Sequence, residues 1–168
     1  FTRLQSEYRI DNENSSFIAD FSLTKGYQSS LSNNRNSISH IFSKYNLDLG
    51  LDNFYTSNLD VFVEKVSNDT YLKVFDTNLT ETPIKPLNSS VLNSGFKLNL
   101  DHENYSFDLG ANAYENLTVS KSSDRFQFIM PYYNFSKTLS INDKNILELD
   151  SSGSNNLIET NNLESNII

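Results

Sequence analysis

An all-β fold, arranged as an antiparallel up-and-down meander of eight or nine long strands, is expected from three properties of the sequence. Apolar and polar residues alternate with period two, the pattern of a strand whose two faces meet different surroundings. Most of the alternating segments exceed the ~5–6 residues that are usual for a strand in a globular protein. The connections between them alternate between short and long. No segment shows a convincing helical stripe of apolar residues.

Composition narrows the possible functions. The 168 residues include 13 Lys and Arg and 21 Asp and Glu, for a net charge of −8, which argues against binding to a nucleic-acid backbone. The absence of Cys excludes disulfides, thiolate metal sites and Cys nucleophiles. Hydrophobic residues make up only 37%, yet aromatic residues reach 12%, which indicates packing rather than disorder. The apolar runs are too short for a transmembrane helix, which needs ~20 residues.

Each strand is assigned from its own alternation, in chain order. The clearest examples are Phe17–Leu23, Leu47–Leu51, Leu59–Val63, Phe96–Leu100 and Tyr105–Ala113, in which every second residue is apolar. The expected strands are 1–11, 15–27, 37–52, 55–67, 90–102, 104–116, 125–137, 145–153 and 156–166.

Within the seventh strand, the alternation of polar and apolar residues shifts by one position. Arg125 and Gln127 place polar groups on odd positions, whereas Asn134 and Ser136 place them on even positions. The switch surrounds Pro131, a residue type found at strand edges and bulges, and one extra residue reverses the two faces. We therefore predict a β-bulge at Pro131; the alternative is a strand that ends at Met130.

A strand with one apolar face fits either a soluble sandwich or a membrane barrel, in which the apolar face meets lipid and the polar face lines the lumen. Strand length, sorted connections and aromatic residues near strand ends favour part of a transmembrane β-barrel. The predicted lipid-facing belt comprises Leu47, Leu49, Leu51, Leu59, Val61, Val63, Leu98 and Leu109. The predicted polar wall of the lumen comprises Asp48, Asp52, Asp60, Glu64, Lys97, Asn99, Asp108 and Asn112.

Three segments of the chain, at residues 59–76, 123–136 and 147–161, resemble the lipopolysaccharide-assembly (LptD, or OstA) family of outer-membrane proteins. In Leu59–Asp76 a strand ends in Val66-Ser67-Asn68, followed by an acidic residue, Tyr-Leu and Phe-Asp. Asn68 stands where the family usually has Asp. Ser123–Ser136 resembles the family's Asp-Arg-Tyr-…-Pro-…-Tyr strand, and Leu147–Asn161 resembles the hairpin that follows. Together the resemblance spans about residues 38 to 162.

The resemblance implies a bacterial outer-membrane barrel that transports lipopolysaccharide to the outer leaflet. It implies a lipoprotein plug (LptE-like) within the barrel, and a periplasmic Lpt bridge that docks on an N-terminal jelly-roll domain outside this sequence. Residues 1–168 are expected to be one partial domain, a middle segment of the barrel that lacks the first and last strands of the parent.

No catalytic, cofactor-binding or metal-binding residue is predicted. The two His, His40 and His102, are too few for a typical metal site. The four carboxylates that Asp48, Asp52, Asp60 and Glu64 place on neighbouring strands suggest either a cation-binding patch or a solvated face. Two other functions stay open: another outer-membrane barrel, such as a porin or a TonB-dependent receptor, and a soluble β-sandwich adhesion module. The sandwich requires a second sheet packed on the Leu and Val face.

Overall fold

The computed structural model describes residues 2–28, 35–75, 82–119, 125–142, 145–158 and 162–167. These residues form nine strands and one short helix. The strands are β1 Thr2–Asp11, β2 Ser15–Gln28, β3 Arg35–Asp48, β4 Phe54–Val66, β5 Val91–His102, β6 Tyr105–Asn116, β7 Phe126–Asn142, β8 Asn145–Ile158 and β9 Asn162–Ile167, with helix α1 at Tyr71–Phe75 between β4 and β5.

All nine described strands belong to one sheet, in sequence order from β1 to β9, and every neighbouring pair is antiparallel. The expected meander is therefore confirmed. The sheet is open, because no pairing joins β1 to β9 in the described residues. No second sheet packs on it within those residues, so the arrangement that a β-sandwich requires is not found there.

Connections differ in length between the two ends of the sheet. At one end β1–β2, β3–β4, β5–β6 and β7–β8 are joined through residues 12–14, 49–53, 103–104 and 143–144. We call this the short-turn end. The opposite end carries the connections 29–34, 67–90, 117–125 and 159–161, and we call it the long-loop end. Three of these four connections are longer than every connection at the short-turn end, and 159–161 is the exception. This sorting of connections by side is typical of outer-membrane barrels.

Strand β7 carries one extra residue relative to both of its neighbours. Tyr132 pairs with Gly110 and Ile129 with Asn112, so Met130 and Pro131 lie opposite a single residue of β6. The register of β7 against β8 shifts at the same place. The shift coincides with the change of phase around Pro131 in the sequence, and it keeps the apolar residues of both halves on one face.

Three boundaries expected from the sequence are wrong, and one of them is the end of β7, which continues to Asn142 rather than stopping at 137. Strand β3 ends at Asp48 rather than at 52, and residues 49–53 form a turn because Gly50 and Asn53 adopt positive φ angles of 59° and 68°. The third error is the break expected between residues 153 and 156, because β8 continues to Ile158 and β9 begins at Asn162 rather than at 156. The polar Ser and Asn residues of β8 lack apolar alternation, but their backbones pair with β7.

A small buried core lies at the long-loop end. Helix α1 contributes Tyr71, Leu72 and Phe75, which are almost fully buried. They pack with residues of three strands and of the β6–β7 connection, namely Ile38, Phe42, Val66, Leu92 and Leu117. None of the predicted belt residues belongs to this core.

Candidate functional site

Four of the eight residues of the predicted belt form a continuous row across the sheet. Leu47 pairs with Leu59, Leu59 with Leu98, and Leu98 with Leu109. Directly paired residues share a face, so these side chains lie together on what we call the apolar face. Val61 and Val63 alternate with Leu59 on the same face, whereas Leu49 and Leu51 lie in the turn 49–53.

In β1 and β2, apolar side chains of one face are more exposed than polar side chains of the other. On the apolar face Leu4 is 67% exposed and Phe21 is 47% exposed. On the opposite face Asp20 and Thr24 are 1% and 0% exposed. Isolated exposed apolar residues are ordinary, but a contiguous apolar surface marks contact with another apolar phase.

Charged residues of the apolar face lie only near its two ends, among the strand residues whose side chains the structure describes. Lys25, Lys65 and Glu115 lie towards the long-loop end, and Lys137 lies towards the short-turn end. Ten residue steps along β6 separate Glu115 from Tyr105, the partner of Lys137. At ~3.4 Å per residue and the usual barrel tilt of about 35–45°, these steps span ~24–28 Å, comparable with the ~25 Å apolar band of outer-membrane barrels.

Aromatic rings gather at both limits of this band. At the short-turn end Tyr105 contacts Phe54, His102 and Phe135, with ring centroids 5.8, 4.8 and 6.4 Å apart. At the long-loop end the rings of Phe126 and Phe128 stack at 6.1 Å. Such bands are typical of the interface between a membrane and water.

The opposite face, which we call the polar face, carries matching polar rows. One row runs through Asp48, Asn58, Asn99, Asp108 and Asn134 on five neighbouring strands. A second row contains Asn46, Asp60 and Lys97. Amides bridge these rows, because Asn46 donates to Asp60 at 2.7 Å and Asn99 donates to Asp108.

Seven of the eight predicted wall residues lie in strands on the polar face. Asn112 pairs with Gly95 in this face, and Glu64 pairs with Phe42. Asp52 is the exception, because it lies in the turn 49–53. The predicted carboxylates do not gather as ligands: no group of three or more His, Asp or Glu suited to a metal occurs in the described residues.

A buried polar cluster on the polar face was not expected from the sequence. The hydroxyl of Tyr71 contacts Ser22 and lies 2.8 Å from Nδ1 of His40, which is 3.1 Å from Ser22 Oγ. The other ring nitrogen of His40 lies 3.5 Å from Asp20. Gln5 donates to both carboxylate oxygens of Asp20, at 3.1 and 2.9 Å.

Ser, His and Asp side chains in contact resemble the components of a hydrolase triad, but their burial favours a structural role. The side chains of His40 and Asp20 are 0% and 1% exposed, so a substrate has no access to them in this conformation. Phe42 stacks on the His40 ring at 4.3 Å. Tyr71 belongs to α1, so the cluster anchors the β4–β5 connection to β2 and β3. That the protein is not an enzyme stays a prediction.

An ion-pair network joins two connections at the long-loop end. Arg125 donates from Nη2 to Asp69 and from Nε to Glu115, both at 2.7 Å, and from Nη1 to the Val119 carbonyl at 3.2 Å. Lys65 donates to the other oxygen of Glu115 at 2.6 Å. The hydrogen bond with Asp69 raises the pKa of Arg125. Sequence spacing alone could not reveal this network, because Asp69 and Arg125 lie 56 residues apart.

Comparison of the chain with protein-family profiles, with curated proteins and with solved structures found no match. Within the described residues, no helix has the length and hydrophobicity that crossing a membrane would require.

Proposed function

We propose that this sheet is a section of the wall of a bacterial outer-membrane β-barrel that transports lipopolysaccharide to the outer leaflet. The observation that carries the membrane assignment is the separation of charge: most charged strand residues lie on the polar face, and those of the apolar face lie near its ends. A soluble sheet has no need to leave an uncharged band ~25 Å tall exposed. The polar face would then line the lumen.

The choice of lipopolysaccharide as cargo rests on the family resemblance, and one contact supports it. Asp69 belongs to the first resembling segment and Arg125 to the second, and the two form a 2.7 Å ion pair. If the two segments resembled the family only by chance, there would be no reason for Asp69 and Arg125 to form an ion pair. In this proposal the ion pair holds the two long connections in a fixed arrangement above the lumen.

The described residues would act by binding and enclosure rather than by bond cleavage. Leu59, Leu98 and Leu109 would contact acyl chains of the membrane. Asp60, Lys97 and Asn99 would keep the lumen hydrated for a sugar chain and for a lipoprotein plug of the LptE kind. A periplasmic Lpt bridge would deliver the lipid through a domain of the parent protein.

The membrane assignment can be tested by labelling, because the chain has no native Cys. Leu98→Cys and Asn99→Cys are adjacent residues on opposite faces, so they form a matched pair. In vesicles prepared with brominated phospholipid we expect a fluorescent probe at 98 to be quenched, and a probe at 99 to remain unquenched. Equal quenching at both positions would exclude the proposed orientation.

The cargo is tested by photo-crosslinking in living cells. A photoreactive residue at Lys97 or Asn99 should yield an adduct that antibodies against lipopolysaccharide detect, and the yield should fall when lipopolysaccharide synthesis is blocked. A porin or a TonB-dependent receptor predicts no such adduct from its lumen face. If the protein inserts correctly into the membrane but forms no adduct, lipopolysaccharide is rejected as the cargo. The membrane-barrel assignment would be unaffected by that result.

A further inference from the structure

We propose that a cavity on the polar face, near the long-loop end, binds an uncharged sugar ring. The cavity has a volume of about 390 Å³, within the ~300–1,000 Å³ usual for small-molecule sites. It lies at the ends of four neighbouring strands, β5 to β8. Among the described residues, its lining consists of six residues of the polar face, with Arg125 and Phe126 at the end of the sheet; the six are Val91, Tyr114, Asn116, Gln127, Ile129 and Ile158.

Register places the central polar groups side by side. Tyr114 pairs with Gln127, and Gln127 pairs with Ile158, in one row across three strands. Asn116 lies two residues beyond Tyr114 on the same face of β6. The phenol ring, two amides and the apolar Ile158 therefore border one space.

The polar groups of this lining are available to a ligand. Neither Tyr114 nor Gln127 makes a side-chain hydrogen bond within the described residues. The carbonyl oxygen of Asn116 accepts from the backbone N–H and the hydroxyl of Thr118, which leaves its amide hydrogens to donate outwards. An amide side chain can donate and accept together, as recognition of a hydroxyl group requires.

The charged groups around the cavity indicate which classes of ligand it can bind. Arg125 is the charged residue of the described lining, and its three nitrogens donate to Asp69, Glu115 and the Val119 carbonyl. An anion such as phosphate would have to displace these carboxylates. The part of the lining that the structure describes contains no carboxylate for a metal cation. A ligand with one apolar face and several hydroxyl groups fits an aromatic ring beside free amides.

Two further groups on the same face lack donors. Oδ1 of Asn93 and Oδ1 of Asn156 are buried and accept no hydrogen bond from the described protein. Asn93 pairs with Tyr114, and Asn156 pairs with Ile129, so both flank the cavity. Both oxygens are buried and neither residue belongs to the described lining, so a ligand in the cavity would not reach them directly. This inference concerns the polar face alone and does not depend on what covers the apolar face.

Saturation-transfer NMR on the full chain provides the test. The chain is folded in lauryldimethylamine-oxide micelles, because the sugar headgroups of glucoside and maltoside detergents would compete with the probes for the cavity. The probes are the methyl glycosides of glucose, galactose and mannose, a neutral galactolipid in the same micelles, and inorganic phosphate, whose binding is followed by broadening of its phosphorus-31 signal because it has no carbon-bound protons. We expect saturation transfer to a neutral sugar; transfer to the galactolipid alone would assign the site to lipid-linked sugars, and binding of phosphate alone would overturn the proposal.

Substitutions locate the binding. Tyr114→Ala should weaken binding by roughly three- to tenfold through loss of ring contact, whereas Tyr114→Phe should keep most of it. Gln127→Ala is a second variant should the first fail to fold, as judged by circular dichroism. Tyr55→Ala is the matched control, because Tyr55 is 75% exposed and lies outside the cavity. Unchanged affinity in folded Tyr114→Ala and Gln127→Ala, or no transfer to any sugar, would overturn the proposal.

Discussion

An arginine introduced into the middle of the apolar face should be far more costly than one introduced into the polar face. Leu109 lies four residues from Tyr105 along β6. At ~3.4 Å per residue and a tilt near 45°, this places Leu109 about 10 Å inside the band, close to the midplane. In a bilayer, Leu109→Arg should therefore lower the free energy of unfolding by about 2–4 kcal/mol.

Asn112→Arg is the matched control, on the same strand but on the polar face. We expect a change within about 1 kcal/mol, because the new side chain would lie in water. The assay is guanidinium unfolding from phospholipid vesicles, followed by circular dichroism. Similar losses for the two variants, or a larger loss for Asn112→Arg, would refute the assignment of the faces.

Three further predictions concern packing and hydrogen bonds, all measured by denaturant unfolding. Gly95→Ala places a methyl group against the backbone carbonyl of Ala111, so we expect a loss of about 1–3 kcal/mol; unchanged stability would contradict that close approach. Tyr71→Phe removes the hydroxyl 2.8 Å from His40 and should lose about 1–2 kcal/mol. Because burial raises the pKa of Tyr71, its contribution is complete below the unfolded pKa of about 10 and is lost as the pH rises above it. The decline in stability above pH ~10 should therefore be smaller in Tyr71→Phe, and an identical pH profile would argue against its burial. Arg125→Met leaves two carboxylates without their partner and should lose about 1–3 kcal/mol, with Arg125→Lys intermediate; equal stability of the three proteins would show that the network contributes little.

Much of the sheet could be predicted because each strand carries its own evidence. Alternation at Leu59, Val61 and Val63 marks one face without knowledge of any neighbour. In β3, the alternation that includes Leu47 continues beyond the strand through Leu49 and Leu51. Periodicity alone therefore could not show that β3 ends at Asp48. The turn depends on local backbone geometry, including the positive φ of Gly50 and the hydrogen bond from its N–H to Asp48.

The buried clusters could not be predicted, because they depend on residues distant in sequence. Ser22 meets His40 only through the register of β2 against β3. Tyr71 reaches both from a helix 49 residues beyond Ser22. Asp69 and Arg125 likewise meet because two connections fold to the same end of the sheet, a relation that no spacing within either connection encodes.

The extra residue of β7 has a consequence for strand alignment. Phe128 pairs with Leu157 of β8, and Tyr133 pairs with Gly153 of the same strand. The two halves of β7 are therefore aligned separately on either side of Pro131. If the bulge moved towards Asn142, the residues that it passed would exchange faces, and aromatic side chains would turn towards the polar rows. Sliding the whole strand by one residue would invert both halves together. The bulge therefore restricts β7 to one register against its neighbours. The Ser and Asn residues of β7 would specify that register only weakly by themselves.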